Sequence, residues 1–146
     1  MTALILDAGA LVAVDRDDRA MIARLRVAQQ RGVELRSNAL VVAQVWRDRQ
    51  GRQVNLARLL RAVDVRAVDH HDGRQAGVLL GLAGTADPID ACVVLLAEPG
   101  DRILTSDPDD LTVSCSRRKP RRHHHLLTIA APHAAREDVQ CGNPRH

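Results

Sequence analysis

The chain has 146 residues, 45% of them apolar and 27% charged, with a formal net charge of +3. That is the balance of one soluble globular domain and excludes a disordered chain. No apolar run reaches the ~20 residues needed to cross a bilayer, and no basic segment, apolar stretch and cleavage site open the chain, so a cytoplasmic address is expected.

Residues 3–6 (Ala-Leu-Ile-Leu) form a continuous apolar run ending at Asp7, the pattern of a strand buried on both faces. A helix is expected next, capped near Asp17 or Asp18, with Met21, Ile22, Leu25 and Ala28 at helical spacing and Gly32 as its stop. Residues 33–35 read as a second short strand. Asn38 is an N-cap candidate for a helix carrying Leu40, Val41, Val45 and Trp46, closed by Gly51. Leu56, Leu59, Leu60 and Val63 mark another amphipathic segment. Residues 63–68 alternate as a strand does, and 69–83 read as a helix ending at Gly84. Asp87-Pro88 is an N-cap followed by proline at the first helical position, where its missing N–H costs nothing. Every residue from Ala91 to Ala97 is apolar, so that helix is expected to be buried nearly all round. Gly100 ends it, and residues 102–105 form an apolar strand leading to Asp107-Pro-Asp-Asp110. Residues 126–132 offer a last edge strand. The domain boundary falls near 130 (domain 1–130), with 131–146 an unstructured tail.

Strands alternating with helices imply an α/β layer fold with a mainly parallel central sheet flanked by helices. Trp46 is the sole Phe, Tyr or Trp, so the core must be aliphatic, and base stacking is excluded as a major mode of nucleic-acid binding. The positive charge is almost all arginine, and much of the excess sits at Arg117, Arg118, Lys119, Arg121 and Arg122, a solvated tail rather than a binding face. Three cysteines without a CxxC spacing argue against disulfides, and Cys92 reads as a small core residue. The run His123-His124-His125 reads as a surface feature, because adjacent residues share no face of a helix or strand.

In open parallel sheets ligands gather outside the carboxyl ends of the strands. Asp7 follows the first strand directly, and Asp107 follows the strand at 102–105 by two residues. Asp87 and Asp90, three apart, share one face of a first helical turn. Asp7 caps no obvious helix, whereas Asp87 is first of all a cap, and Asp107, Asp109 and Asp110 also fit cap or dipole roles. Asp15, Asp17, Asp18, Asp64 and Asp69 read as caps or solvated charges. Clustered carboxylates repel one another, and a hard divalent cation removes that cost. Mg²⁺ or Mn²⁺ takes oxygen ligands, keeps waters and bridges to phosphate, which is the chemistry of phosphodiester hydrolysis.

At this point the residues resemble a known family. Leu-Ile-Leu-Asp7-Ala-Gly-Ala-Leu-Val-Ala resembles the opening strand of PIN domains of the VapC toxin group. Gly84-Thr-Ala-Asp87-Pro-Ile-Asp90-Ala-Cys-Val-Val resembles their central helix start, and Ile-Leu-Thr105-Ser-Asp107-Pro-Asp-Asp110-Leu their closing strand and turn. Asn38-Ala-Leu-Val-Val-Ala-Gln44-Val-Trp-Arg47 is similar to the helix bearing the family's second acid. The match spans residues 3–112 and rests on the order of four motifs. The resemblance implies a PIN-like three-layer fold and a toxin endoribonuclease that cuts structured RNA such as tRNA or rRNA. It implies Mg²⁺ or Mn²⁺ held by Asp7, Asp90 and Asp107 with help from Asp87 and Asp110, inhibition by a VapB-like antitoxin, and a homodimer. Two departures stand out: the usual glutamate is Gln44, able to bind a water or metal-shell ligand without charge, and the tail after Leu111 is unlike the family's final strand. Arg47, Arg49, Arg52, Arg58 and Arg61 are candidate phosphate contacts or plain solvated faces.

Two other Asp-after-strand enzymes do not fit. A haloacid-dehalogenase type phosphatase needs a second aspartate where Gly9 stands and a catalytic lysine, and Lys119 in the tail is the sole lysine. A response-regulator receiver lacks its lysine likewise. The remaining alternative is a catalytically weak or inactive PIN-like module that binds RNA or antitoxin without cutting, because Gln44 leaves the acid set incomplete.

Overall fold

A computed structural model describes residues 2–47, 50–83, 87–105 and 125–128. They form an α/β fold in the order β1 (Ala3–Leu6), α1 (Ala8–Asp15), α2 (Arg19–Gln30), β2 (Glu34–Asn38), α3 (Ala39–Val45), α4 (Val54–Leu60), β3 (Asp64–Arg66), α5 (His70–Ala83), α6 (Pro88–Leu96), β4 (Arg102–Thr105) and β5 (His125–Thr128). The sheet order is β3-β2-β1-β4-β5. The first four strands are parallel and β5 is antiparallel to β4, with Thr105 opposite His125.

All four residues of β1 are buried. Successive strand side chains point to opposite faces, so helices cover the sheet on both sides. The main core gathers β1, Leu35, Ile103 and Leu104 with Leu11 and Val14 of α1, Met21 and Leu25 of α2, Val41 of α3, Leu56 of α4 and Val93 of α6. A smaller cluster joins Ala76 of α5 to Ala91 and Cys92 of α6. The core is aliphatic, as the composition demands. Among the described residues no helix is long and apolar enough to cross a membrane.

Four sequence expectations change. Asp7 does cap a helix: α1 starts at Ala8, and its first turn is closed by the Asp7 side chain. That helix escapes pattern reading because it is packed nearly all round, with Ala10, Leu11, Ala13 and Val14 buried, and so shows no polar stripe. The second strand runs to Asn38 rather than stopping at residue 35, through the polar residues Arg36 and Ser37. Both are buried because both are satisfied: Ser37 Oγ donates to Leu6 O at 2.9 Å, and Arg36 sits in a carboxylate nest. The helix from Asn38 ends at Val45, well short of Gly51. Gln53 draws the chain away, with Nε2 donating to Val45 O at 3.0 Å and Oε1 accepting from Arg47 N at 2.7 Å. Finally, α6 is not buried all round, because Leu95 is exposed while Ala91, Cys92 and Val93 are buried.

Other expectations hold. Asp18, Asn38 and Asp87 accept N–H bonds as N-caps, and Pro88 opens α6. The final edge strand lies at His125–Thr128, inside or beside the expected 126–132. His123, His124 and the tail 131–146 lie outside the described residues.

Candidate metal centre

The carboxyl edge of the sheet is where the parallel strands β1, β2 and β4 end, at Leu6, Asn38 and Thr105. Asp7 stands on it. Its backbone N–H donates to Leu104 O at 3.3 Å, which ties the exit of β1 to the exit of β4. Its side chain is turned inward, 7% exposed as a residue, with Oδ1 accepting from Ala10 N at 2.7 Å. A carboxylate buried to this degree persists only with partners, and the α1 N-terminus is one of them.

The direction of α6 decides where Asp87 and Asp90 lie. Near its C-terminus, Leu96 O accepts from Arg36 Nη1 at 3.4 Å, level with the middle of β2. The turn that follows, held by Glu98 N donating to Asp101 Oδ2 at 2.9 Å, leads directly into the start of β4 at Arg102, so the helix ends at the amino edge of the sheet. The helix therefore runs antiparallel to the strands, and its first turn lies towards the carboxyl edge. Asp90 is there, half-buried. Asp87 is exposed and acts as the cap, its Oδ1 accepting from Ile89 N at 2.8 Å and Asp90 N at 3.3 Å. β4 ends at a buried Thr105, two residues before Asp107, while Asp107 and Asp110 lie outside the described residues. Among the described residues no three of His, Cys, Asp and Glu converge as a metal-binding group. The described part of the acid set is thus Asp7, Asp87 and Asp90 arriving from two elements, with Oδ1 of both Asp7 and Asp87 also capping a helix. Its donors are carboxylate oxygens, the type that a hard divalent cation takes.

Comparison with protein-family models and with curated proteins gives no match.

Gln44 sits exposed in the last turn of α3. Arg47 is exposed, and its Nη1 donates to Ala43 O at 3.2 Å and Trp46 O at 2.8 Å. Arg52, Arg58 and Arg61 are exposed, and Arg49 lies outside the described residues.

Pattern reading missed two polar sites. At the opposite, amino edge of the sheet, Asp101 is 2% exposed and accepts from Ala3 N at 2.6 Å, Glu98 N at 2.9 Å and Arg36 Nη1 at 3.3 Å. Arg36 also forks onto Glu34, with Nε at 3.0 Å and Nη2 at 2.9 Å from Oε1. No local signal announces this pair, because its members are 65 residues apart. The second is Asn38, 1% exposed, whose Oδ1 caps Val41 N at 2.9 Å while Nδ2 has no hydrogen-bond partner among the described residues. It lines a cavity of about 50 Å³ with Asp72 and Cys92, room for a water to satisfy the amide. Burial pushes the Cys92 thiol up from its usual range, and the Asp72 charge adds to the shift, so it stays protonated and inert.

Proposed function

We propose that this chain is a divalent-metal-dependent endoribonuclease of the PIN-domain, VapC-like toxin type. The single observation carrying the reading is the buried Asp7 carboxylate at the carboxyl end of central β1, with the Asp90 end of α6 directed to the same edge. Asp107, one residue beyond Ser106 after β4, completes the acid set in this reading, and Asp110 assists it. Mg²⁺ or Mn²⁺ bound there would lower the pKa of a water and stabilise charge on the scissile phosphate. The protein's part is to hold Asp7 in place through the Ala10 N–H. The substrate is structured RNA of the tRNA or rRNA class, the regulator a VapB-like antitoxin, and the working form a homodimer. Val78 and Leu82, 59% and 62% exposed one turn apart on α5, provide apolar surface for such assembly.

Purified protein freed of antitoxin should cut tRNA or rRNA with Mg²⁺ or Mn²⁺. Cleavage should vanish with EDTA and with Asp7→Asn, which keeps the oxygen that caps α1. RNA left intact across both metals would overturn the reading. One observation favours a second one: Gln44 is exposed and uncharged where the family carries glutamate. In that case the domain binds RNA or antitoxin without cutting, and the same assay separates the two.

A further inference from the structure

A pocket of about 270 Å³ lies on the helical side of the molecule, between the end of α3 and α4. Trp46 forms one wall, and Arg58 and Arg61 stand at α4's C-terminal end. Three residues apart, the two arginines share one helix face. Among the described residues no carboxylate belongs to the lining and none pairs with either guanidinium. Arg58 also complements the negative end of the α4 dipole, but that does not account for a second cation beside it facing an aromatic wall.

The pocket is built rather than incidental. Trp46 packs partly against the main core, which fixes the indole. Gln53, also in the lining, is held at both ends of its amide: Oε1 accepts from Arg47 N, and Nε2 donates to Val45 O and to Asp15 Oδ2 at 3.3 Å. Its rotamer is therefore locked, and ordering cost on binding is small. Asp15 closes α1, whose other end starts at Asp7, so the pocket stands about 12 Å along the helix from that carboxylate.

An indole wall next to two planar cations with no carboxylate partner among the described residues fits one ligand chemistry: a flat heterocycle joined to a phosphate. We infer that this pocket binds a nucleotide, its base against Trp46 and its phosphate on Arg58 and Arg61. Trp46 is the sole Phe, Tyr or Trp of the chain, and it stands in this pocket. The inference stands apart from the nuclease reading, since neither Asp7 nor a metal takes part. The same chemistry comes from a free nucleotide or from a unit of an RNA strand.

Trp46 being the sole aromatic, the intrinsic fluorescence of the chain reports on this pocket alone. The full chain is titrated in EDTA, which silences any cleavage, with adenosine monophosphate, a single-stranded RNA hexanucleotide and inorganic phosphate as separate probes. Saturable quenching by the mononucleotide or the hexanucleotide is expected, and the tighter of the two identifies the source. The Arg58→Ala/Arg61→Ala double variant, unchanged in Tm, should bind roughly tenfold more weakly, while Asp7→Asn binds as the parent does. Absence of quenching by both nucleotide probes, quenching by phosphate alone, or quenching unaffected in the double variant would each overturn it. Loss of metal-dependent cutting with quenching intact would sink the nuclease reading and leave this one standing.

Discussion

Asp7 serves the fold through Oδ1, which takes the Ala10 N–H at 2.7 Å in a nearly dry setting. A carboxylate in that position carries a cap that an amide can also make and a charge that an amide cannot. The two roles therefore separate by substitution. Asp7→Ala removes the cap and strands a buried N–H, at a cost of roughly 2 kcal/mol, so thermal unfolding should occur about 5 °C lower. Asp7→Asn should melt within a degree or two of the parent, and only the RNA cleavage proposed above should disappear. Were Asp7→Asn as unstable as Asp7→Ala, the charge itself would be structural. The role of Asp7 as a cap was hidden in the chain because the helix it starts has no polar side, whereas Asp18, Asn38 and Asp87 precede helices whose patterns announce them.

At the scale of the element, α5 shows how an exposed end is secured. Asp69 Oδ1 accepts from Asp72 N at 2.9 Å, and Asp72 Oδ2 accepts from Asp69 N at 3.0 Å, a reciprocal capping box. The Asp72 N–H holds the Asp69 carboxyl below its usual range. A depressed folded-state value means that this contribution is fully present above the unfolded value of ~3.9 and is lost as pH falls below it. Asp69→Asn keeps an acceptor without the titration. Protection of the first-turn amides of α5, relative to their intrinsic exchange, should fall on acidification below about pH 4 in the parent and stay flatter in the variant; identical profiles would remove Asp69 as the cause. Element ends are also where sequence reading strayed. Gly51 looks like the stop of α3, yet the helix ends at Val45 because Gln53, eight positions on, takes its carbonyl. A side chain that arrives from beyond a turn leaves no mark on local periodicity.

For the molecule as a whole, the parallel sheet is fastened at its amino edge by one ionic knot. Asp101 joins the first residue of β1, the turn after α6 and Arg36 of β2, and Arg36 in turn reaches Leu96 O and Glu34. Removing one partner of a buried pair leaves the other charge stranded, at about 3–5 kcal/mol. Asp101→Ala should therefore lower Tm by about 10 °C in a single cooperative transition, with RNA cleavage below that temperature unaltered, since the knot lies at the edge opposite Asp7. A Tm change of a degree or less would show that the bridge is replaceable. The alternation of strands and helices, the aliphatic core, three of the helix caps and the strand-end position of Asp7 were all legible in the chain, because periodicity, cap chemistry and composition act locally. The cap at Asp7, the extension of β2 through Arg36 and Ser37, the knot at Asp101, the buried amide of Asn38 and the pocket at Trp46 became visible only in three dimensions. Each depends on partners brought close by the fold rather than by sequence spacing, and burial makes those partners obligatory.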